Sequence, residues 1–116
     1  MNINSYLETA LWSSCDLDGT PLDRDYSIED IDVDFVRQSL HDCNAFKKIA
    51  GTKGIDLDSS DFENWQHDFW LTRNGHGAGF WDGDYPDDIG EILTKLSKRF
   101  RPVDLFVSET NTIIAL

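Results

Sequence analysis

Basic residues, cysteines, prolines and long apolar runs are all scarce in this sequence. Its 10 lysines and arginines stand against 22 aspartates and glutamates, so the formal net charge is −12. Such a field repels nucleic acid and anionic membranes and attracts basic protein surfaces. No run approaches the roughly 20 apolar residues of a membrane helix, and the N-terminus lacks a basic region followed by an apolar stretch. These absences predict a soluble cytoplasmic protein that binds neither a membrane nor nucleic acid directly.

The two cysteines, Cys15 and Cys43, form neither a Cys-x-x-Cys pair nor a cysteine-dense pattern. This usage fits a reducing compartment and predicts two small buried hydrophobic side chains, with a disulfide between them as the alternative. A chain of 116 residues can bury a core without metal or disulfide support. Residues 1–116 are therefore predicted to form a single domain.

The negative charge is concentrated in the first part of the chain. Residues 1–70 hold 15 acidic and 5 basic side chains, whereas residues 71–116 hold 7 and 5. Most of this charge lies in residues 16–34, where Arg24 is the one basic residue. We call its acidic residues the acidic stretch: Asp16, Asp18, Asp23, Asp25, Glu29, Asp30, Asp32 and Asp34. One interpretation is a solvated face that keeps the protein in solution. The other is a row of carboxylates that imitates the phosphates of nucleic acid and occupies the basic channel of an enzyme acting on it.

Periodic apolar residues predict three helices, from about residue 4 to 14, from about 32 or 34 to 50, and from 86 to about 101. Trp12 is expected to pack the end of the first helix against the body of the protein. Gly51 or Gly54 is expected to end the second. Residues 16–27, which contain Gly19 and Pro21, predict an ordered loop. Alternating apolar residues in 103–107 and 112–116 predict a hairpin at the C-terminal end.

A further hairpin is predicted for the segment from His67 to Asp82, whose sequence is HDFWLTRNGHGAGFWD. Asn74-Gly75 is the dipeptide that best accepts positive φ at both central positions of a type I′ turn. The expected cross-strand pairs are Arg73 with His76, Leu71 with Ala78, Phe69 with Phe80, and His67 with Asp82. Together these elements predict an α+β domain, in which about three helices pack on one face of a small, mainly antiparallel sheet of two hairpins.

The predicted first hairpin also carries the candidate chemistry. His67 beside Asp82 is compatible with an acid-base pair or part of a metal site, but their spacing matches no metal signature, and an Asp that only orients a His gives the same pattern. The glycines from Gly75 to Gly79 lack the Gly-Lys-Ser/Thr ending of a phosphate loop. Asp16-x-Asp18-Gly19 resembles half of a calcium loop whose required glycine and glutamate are absent. The sequence therefore predicts no catalytic residue, metal or cofactor.

Three segments resemble a family of small phage, prophage and plasmid proteins. They are Tyr6–Ser14, the run Asp18–Asp23 with Tyr26-Ser27, and above all the sixteen residues from His67 to Asp82. The resemblance spans most of the chain and is weaker in 51–64 and 108–116. It implies a phage-related setting and assigns no catalytic residues.

A small acidic protein in that setting is expected to modulate a host protein. We expect it to inhibit nucleic-acid-directed machinery, such as a restriction or CRISPR effector, through the basic surface of that protein. The acidic stretch would make the electrostatic contact, and Trp70, Arg73, Asn74 and His76 would add shape and hydrogen bonds. The alternatives are an enzyme or small-ligand-binding protein built on His67, Arg73, His76 and Asp82, and a virion or packaging component.

Overall fold

The computed structural model describes residues 1–76, 79–81 and 85–115. Within these residues, the regular structure consists of four α-helices and one short hairpin. They are α1 (Asn4–Ser13), α2 (Val33–Thr52), α3 (Trp65–Arg73), α4 (Asp87–Ser97), β1 (Leu105–Val107) and β2 (Ile113–Ala115). Short 3-10 turns lie at Leu22–Arg24, Ile28–Asp30 and Ser60–Phe62. The α+β class and the C-terminal hairpin are confirmed, and helices lie near the three predicted places, but the predicted number of about three helices is too low. The prediction of two hairpins is wrong, because a fourth helix, α3, occupies part of the segment assigned to the first.

The ends of α2 follow the capping signals of the sequence. Asp32 is the N-cap, and its carboxylate accepts a hydrogen bond from the backbone N–H of Asp34 (3.1 Å). At the other end Gly54 has a φ of +77°. The N–H of Ile55 donates to the carbonyl of Ala50 (3.1 Å), and the N–H of Gly54 donates to that of Gly51 (3.0 Å). This is a Schellman cap, in which glycine takes the left-handed position at no steric cost, so Gly54 ends the helix.

A cap of the same type, at the end of α3, explains why a hairpin was wrongly predicted from His67 to Asp82. Gly75 has a φ of +78°, but Asn74 has a φ of −95°, whereas a type I′ turn needs positive φ at both positions. The N–H of His76 donates to the carbonyl of Leu71 (3.0 Å), and that of Gly75 to Thr72 (3.2 Å), as in a Schellman motif. Asn74-Gly75 therefore ends α3 instead of turning a hairpin. Of the predicted partners, Ala78 and Asp82 lie outside the described residues.

Helix α3 gives no single apolar stripe because it is buried on most sides. It packs against α1 and α4, and its buried residues include the consecutive Phe69, Trp70, Leu71, Thr72 and Arg73. A helix that is covered all round shows no 3.6-residue amphipathic period. The resulting apolar run, placed before Asn-Gly, therefore imitates a β-strand.

The hydrophobic core lies mainly between the helices, and the sheet completes it at one end. Phe46 of α2 stacks on Phe69 of α3 with ring centroids 4.2 Å apart. In the sheet, Leu105 pairs with Ala115, and Ile113 is fully buried. The carbonyl of Ile113 accepts the N–H of Asp32 (2.8 Å), which fastens β2 to the start of α2.

Two helical glycines should respond in opposite ways to alanine. At Gly51 an added Cβ meets nothing within 4 Å, so Gly51→Ala should raise the free energy of unfolding by about 0.5–1 kcal/mol through helix propensity. At Gly90 in α4 the Cβ would lie 2.9 Å from the backbone oxygen of Phe80. Overpacking of this kind costs about 1–3 kcal/mol, so Gly90→Ala should lower stability. Urea denaturation of both variants checks this, and equal stabilisation by both would refute the close contact at Gly90.

Candidate functional site

The acidic stretch winds from the end of α1 through the first two 3-10 turns to the start of α2, and some of its carboxylates have structural tasks. Asp16 accepts hydrogen bonds from the backbone N–H groups of Asp18 (2.8 Å) and Thr20 (3.0 Å). Asp30 accepts one from the N–H of Ser27 (2.9 Å), and Asp32 caps α2. These three carboxylates stabilise turns and a helix end, and their loss would affect folding.

Four other acidic side chains, Asp18, Asp23, Asp25 and Glu29, are exposed. Within the described residues none of them accepts a side-chain hydrogen bond or forms a salt bridge. Asp34 approaches Arg37 only to 4.0 Å, and both side chains are largely exposed, so their attraction is weak. The stretch thus presents at least four exposed carboxylates that form no salt bridge within the described residues. Such charge is available to a partner.

An apolar residue stands among these charges. Leu17, between Asp16 and Asp18, is fully exposed at a turn in which Gly19 takes a φ of +82°. It lines the same cleft as Phe106 of β1, whose ring is also exposed. Leu17 and Phe106 therefore give this cleft an exposed apolar part beside the carboxylates.

A second cleft, the Trp12 groove, has a volume of about 630 Å³ and borders the acidic stretch. It is lined by Glu8, Leu11, Trp12, Asp23, Tyr26, Ser27, Ile28 and Glu29. Trp12 was expected to pack against the body, and this is only partly so, because the residue is 46% exposed. The ring lies beside that of His67, with centroids 5.8 Å apart. No sequence signal identified this groove, because Glu8 and the turn at 23–29 meet only in the fold.

Two residues predicted to contact a partner are core residues instead. Trp70 is 1% exposed and donates its indole N–H to the hydroxyl of Ser13 (2.7 Å). Arg73 is buried beneath the aromatic rings of Phe69 and Phe100, each centroid lying 5.5 Å from its guanidinium carbon. A partner cannot reach either side chain, so this part of the prediction is corrected.

Arg73 is the centre of a buried polar network. It donates to the carboxylate of Asp42 in α2 (2.8 Å), to the hydroxyl of Tyr6 in α1 (3.0 Å), and twice to the carbonyl of Arg101 (2.9 and 2.6 Å). The other oxygen of Asp42 accepts from Gln38 (2.8 Å). One guanidinium therefore joins α1, α2, α3 and the segment that follows α4. Burial raises the pKa of Tyr6 far above its usual range, although the positive charge of Arg73 opposes this rise. The hydroxyl of Tyr6 therefore stays protonated.

The next residue, Asn74, also links α3 to the segment that follows α4. Its side-chain oxygen accepts the N–H of Val103 (2.7 Å), and its amide donates to the carbonyl of Trp70 (2.9 Å). His76 is exposed and lines a small polar cleft. Of the four residues predicted to give shape and hydrogen bonds to a partner, Trp70, Arg73 and Asn74 serve the fold, and His76 remains accessible.

The histidines do not assemble with Arg73 into one site. Nδ1 of His67 lies 3.1 Å from a carboxylate oxygen of Asp68, and the other oxygen of Asp68 accepts the hydroxyl of Tyr85 (2.5 Å). The predicted partner Asp82 lies outside the described residues. His67 and Arg73 are six positions apart on α3, which is about 9 Å along the axis, and Arg73 is fully engaged with its buried partners. Within the described residues, no cluster of three or more His, Cys, Asp or Glu side chains has the geometry to hold a metal ion.

The two cysteines are free thiols in different surroundings. Cys43 is buried, as predicted, whereas Cys15 is exposed, so that prediction is wrong for Cys15. Burial raises the pKa of the Cys43 thiol to about 12, the negative charge of Asp42 adds to this rise, and Arg73 opposes it. Cys43 is therefore an unreactive core side chain.

Comparisons with protein-family models, curated proteins and solved structures gave no match for this chain. Among the described residues there is no helix with the length and apolarity needed to cross a membrane.

Proposed function

We propose that this chain binds a basic surface of a bacterial host protein in the cytoplasm and inhibits it, the target being nucleic-acid-directed machinery such as a restriction or CRISPR effector. The observation that carries the proposal is the group of exposed carboxylates Asp18, Asp23, Asp25 and Glu29, which have no salt bridge or side-chain hydrogen bond in the described part of the chain. Structural carboxylates are normally bonded, as Asp16, Asp30 and Asp32 are here. The unbonded group remains free for contact with another molecule.

Charge alone favours encounter more than it favours tight binding. A field of one sign steers an oppositely charged partner and raises the association rate by about 10- to 1000-fold at low salt. Apolar side chains then slow dissociation, and Leu17 with Phe106 supplies them beside the carboxylates. Exposed carboxylates next to an apolar contact thus combine the two features that favour binding to a basic protein.

The nucleic-acid-directed part of the proposal depends on the nature of the charge and on the resemblance to phage, prophage and plasmid proteins. Enzymes that act on nucleic acid bind phosphates through channels of lysine and arginine. A protein with a net charge of −12 that presents exposed carboxylates matches the sign of such a ligand. Blocking a host defence enzyme in this way would benefit a phage.

The decisive variant neutralises the free carboxylates and leaves the structural ones in place. It combines Asp18→Asn, Asp23→Asn, Asp25→Asn and Glu29→Gln. The matched control makes the same change in charge elsewhere, through Asp61→Asn, Glu63→Gln, Glu91→Gln and Glu109→Gln. These four residues are exposed. Among salt bridges between described residues, only that of Glu91 with Lys95 involves one of them, and this exposed pair contributes little.

Tagged wild type and both variants are used to capture proteins from bacterial lysate at low and high salt. We expect wild type and control to retain a basic nucleic-acid enzyme at low salt and release it at high salt, and the variant to retain at least about tenfold less. Expression of the wild type, but not of the variant, should raise the plating efficiency of an unmodified phage on a restricting host. Equal capture by all three proteins would contradict the proposal.

A further inference from the structure

The Trp12 groove combines two aromatic rings with three carboxylates. Glu8, Leu11 and Trp12 lie on one face of α1 at positions i, i+3 and i+4. Opposite them, the turns contribute Asp23, Glu29 and the ring of Tyr26. In the described part of the chain, no lysine or arginine lines the groove, and none of its three carboxylates forms a salt bridge. The groove therefore carries three carboxylates outside any salt bridge, beside a partly exposed indole.

The exposure of Trp12 calls for an explanation because the rest of its surroundings are ordered. Its neighbour His67 lies beside the indole at 5.8 Å and is itself held by Asp68. The ring is thus positioned while 46% of the side chain stays open to solvent. Tryptophan in such a position is a frequent centre of binding energy in protein interfaces.

We propose that the Trp12 groove receives an arginine side chain of the basic partner. The planar guanidinium stacks on an indole face and donates paired hydrogen bonds to carboxylates, whereas the ammonium of lysine does neither in the same geometry. Charge complementarity selects a cation, and the partly exposed indole selects a flat one. This inference rests on the proposed function, because it names the residue type that the partner must present.

The test uses two capped peptides of equal charge, one with arginines separated by glycine and one with lysines in their place. They are titrated into the 15N-labelled full chain while the indole N–H signal of Trp12 is followed. Trp12→Leu keeps an apolar side chain but removes the π face, and Trp12→Phe keeps a smaller ring. Trp81→Leu is the matched control, since Trp81 is 64% exposed and does not line the groove.

We expect the arginine peptide to shift the Trp12 signal and to bind more tightly than the lysine peptide. Trp12→Leu should weaken the arginine peptide about 3- to 30-fold, the range of a cation–π contact, and reduce its advantage over lysine to what the carboxylates alone provide. Trp12→Phe should give an intermediate loss, and Trp81→Leu none. Equal binding of both peptides, with an unmoved Trp12 signal and no effect of Trp12→Leu, would overturn the inference.

The two proposals fail in different ways. Suppose that both peptides bind equally and Trp12→Leu has no effect, but neutralising Asp18, Asp23, Asp25 and Glu29 still abolishes partner capture. Only the proposed arginine site is then refuted. If the arginine peptide binds at Trp12 while the neutralised variant captures the same proteins as wild type, the proposed function is lost instead.

Discussion

Replacing Arg73 with methionine is expected to lower the free energy of unfolding by about 3–5 kcal/mol, the cost of removing one partner from a buried ion pair. The change leaves the carboxylate of Asp42 buried without its cation and removes the donors to Tyr6 and to the Arg101 carbonyl. A 116-residue domain has a total stability of about 5–15 kcal/mol, so the loss should be large in a urea titration. Arg99→Met is the matched control, and it should change stability by no more than about 0.5 kcal/mol because Arg99 is exposed.

A second variant separates the ion pair from simple loss of packing. In Arg73→Met with Asp42→Leu, both buried charges are absent, so part of the lost stability should return. A loss below about 1 kcal/mol for Arg73→Met alone would show that Arg73 is not the buried link between the helices. Such a result would also restore Arg73 as a candidate for contact with a partner.

Trp70→Ala should lower the free energy of unfolding by about 3–5 kcal/mol, as expected for a large aromatic residue in a packed core. The indole contacts Tyr6 and Phe35 edge to face, with centroids 5.3 and 6.3 Å away, and its N–H bonds to Ser13. Alanine would leave a cavity between α1, α2 and α3. The measurement is again the urea midpoint at constant slope.

Trp81→Ala removes the same atoms from the surface and provides the comparison. Because the side chain of Trp81 is 64% exposed, its loss should cost no more than about 0.5 kcal/mol. If Trp70→Ala left stability intact and abolished partner capture, the sequence-based assignment of Trp70 to a binding surface would be right and its burial wrong.

The sequence predicted those helices whose apolar periodicity or capping residues are visible in their own segment of the chain. Helix α4 has an apolar stripe along its length, and α2 has both an aspartate cap and a glycine stop, so local information sufficed. Helix α3 was missed because burial on most sides removes the periodic pattern, and because Asn-Gly serves equally as a hairpin turn and as a helix cap. Local sequence does not distinguish these, since the choice depends on which helices cover Phe69 and Trp70.

The candidate site was predictable only in outline. Counting charges located the acidic stretch, but it could not separate Asp30 and Asp32, which hold backbone N–H groups, from the free Asp23 and Asp25. Arg73 was singled out, but its partner Asp42 lies 31 positions away, a separation at which no spacing rule applies. Trp12 was expected to pack against the body, and the groove beside it could not be foreseen because residues 23–29, which line it, come later in the chain.

The most direct test of nucleic-acid mimicry is competition. The captured host protein is held on the immobilised chain at low salt, and double-stranded DNA or structured RNA is added in increasing amounts. If the acidic stretch occupies the nucleic-acid channel, the host protein should leave the matrix in proportion to the added nucleic acid and appear bound to it. If the host protein binds the nucleic acid while remaining on the matrix, the two ligands use different surfaces and the mimicry is contradicted.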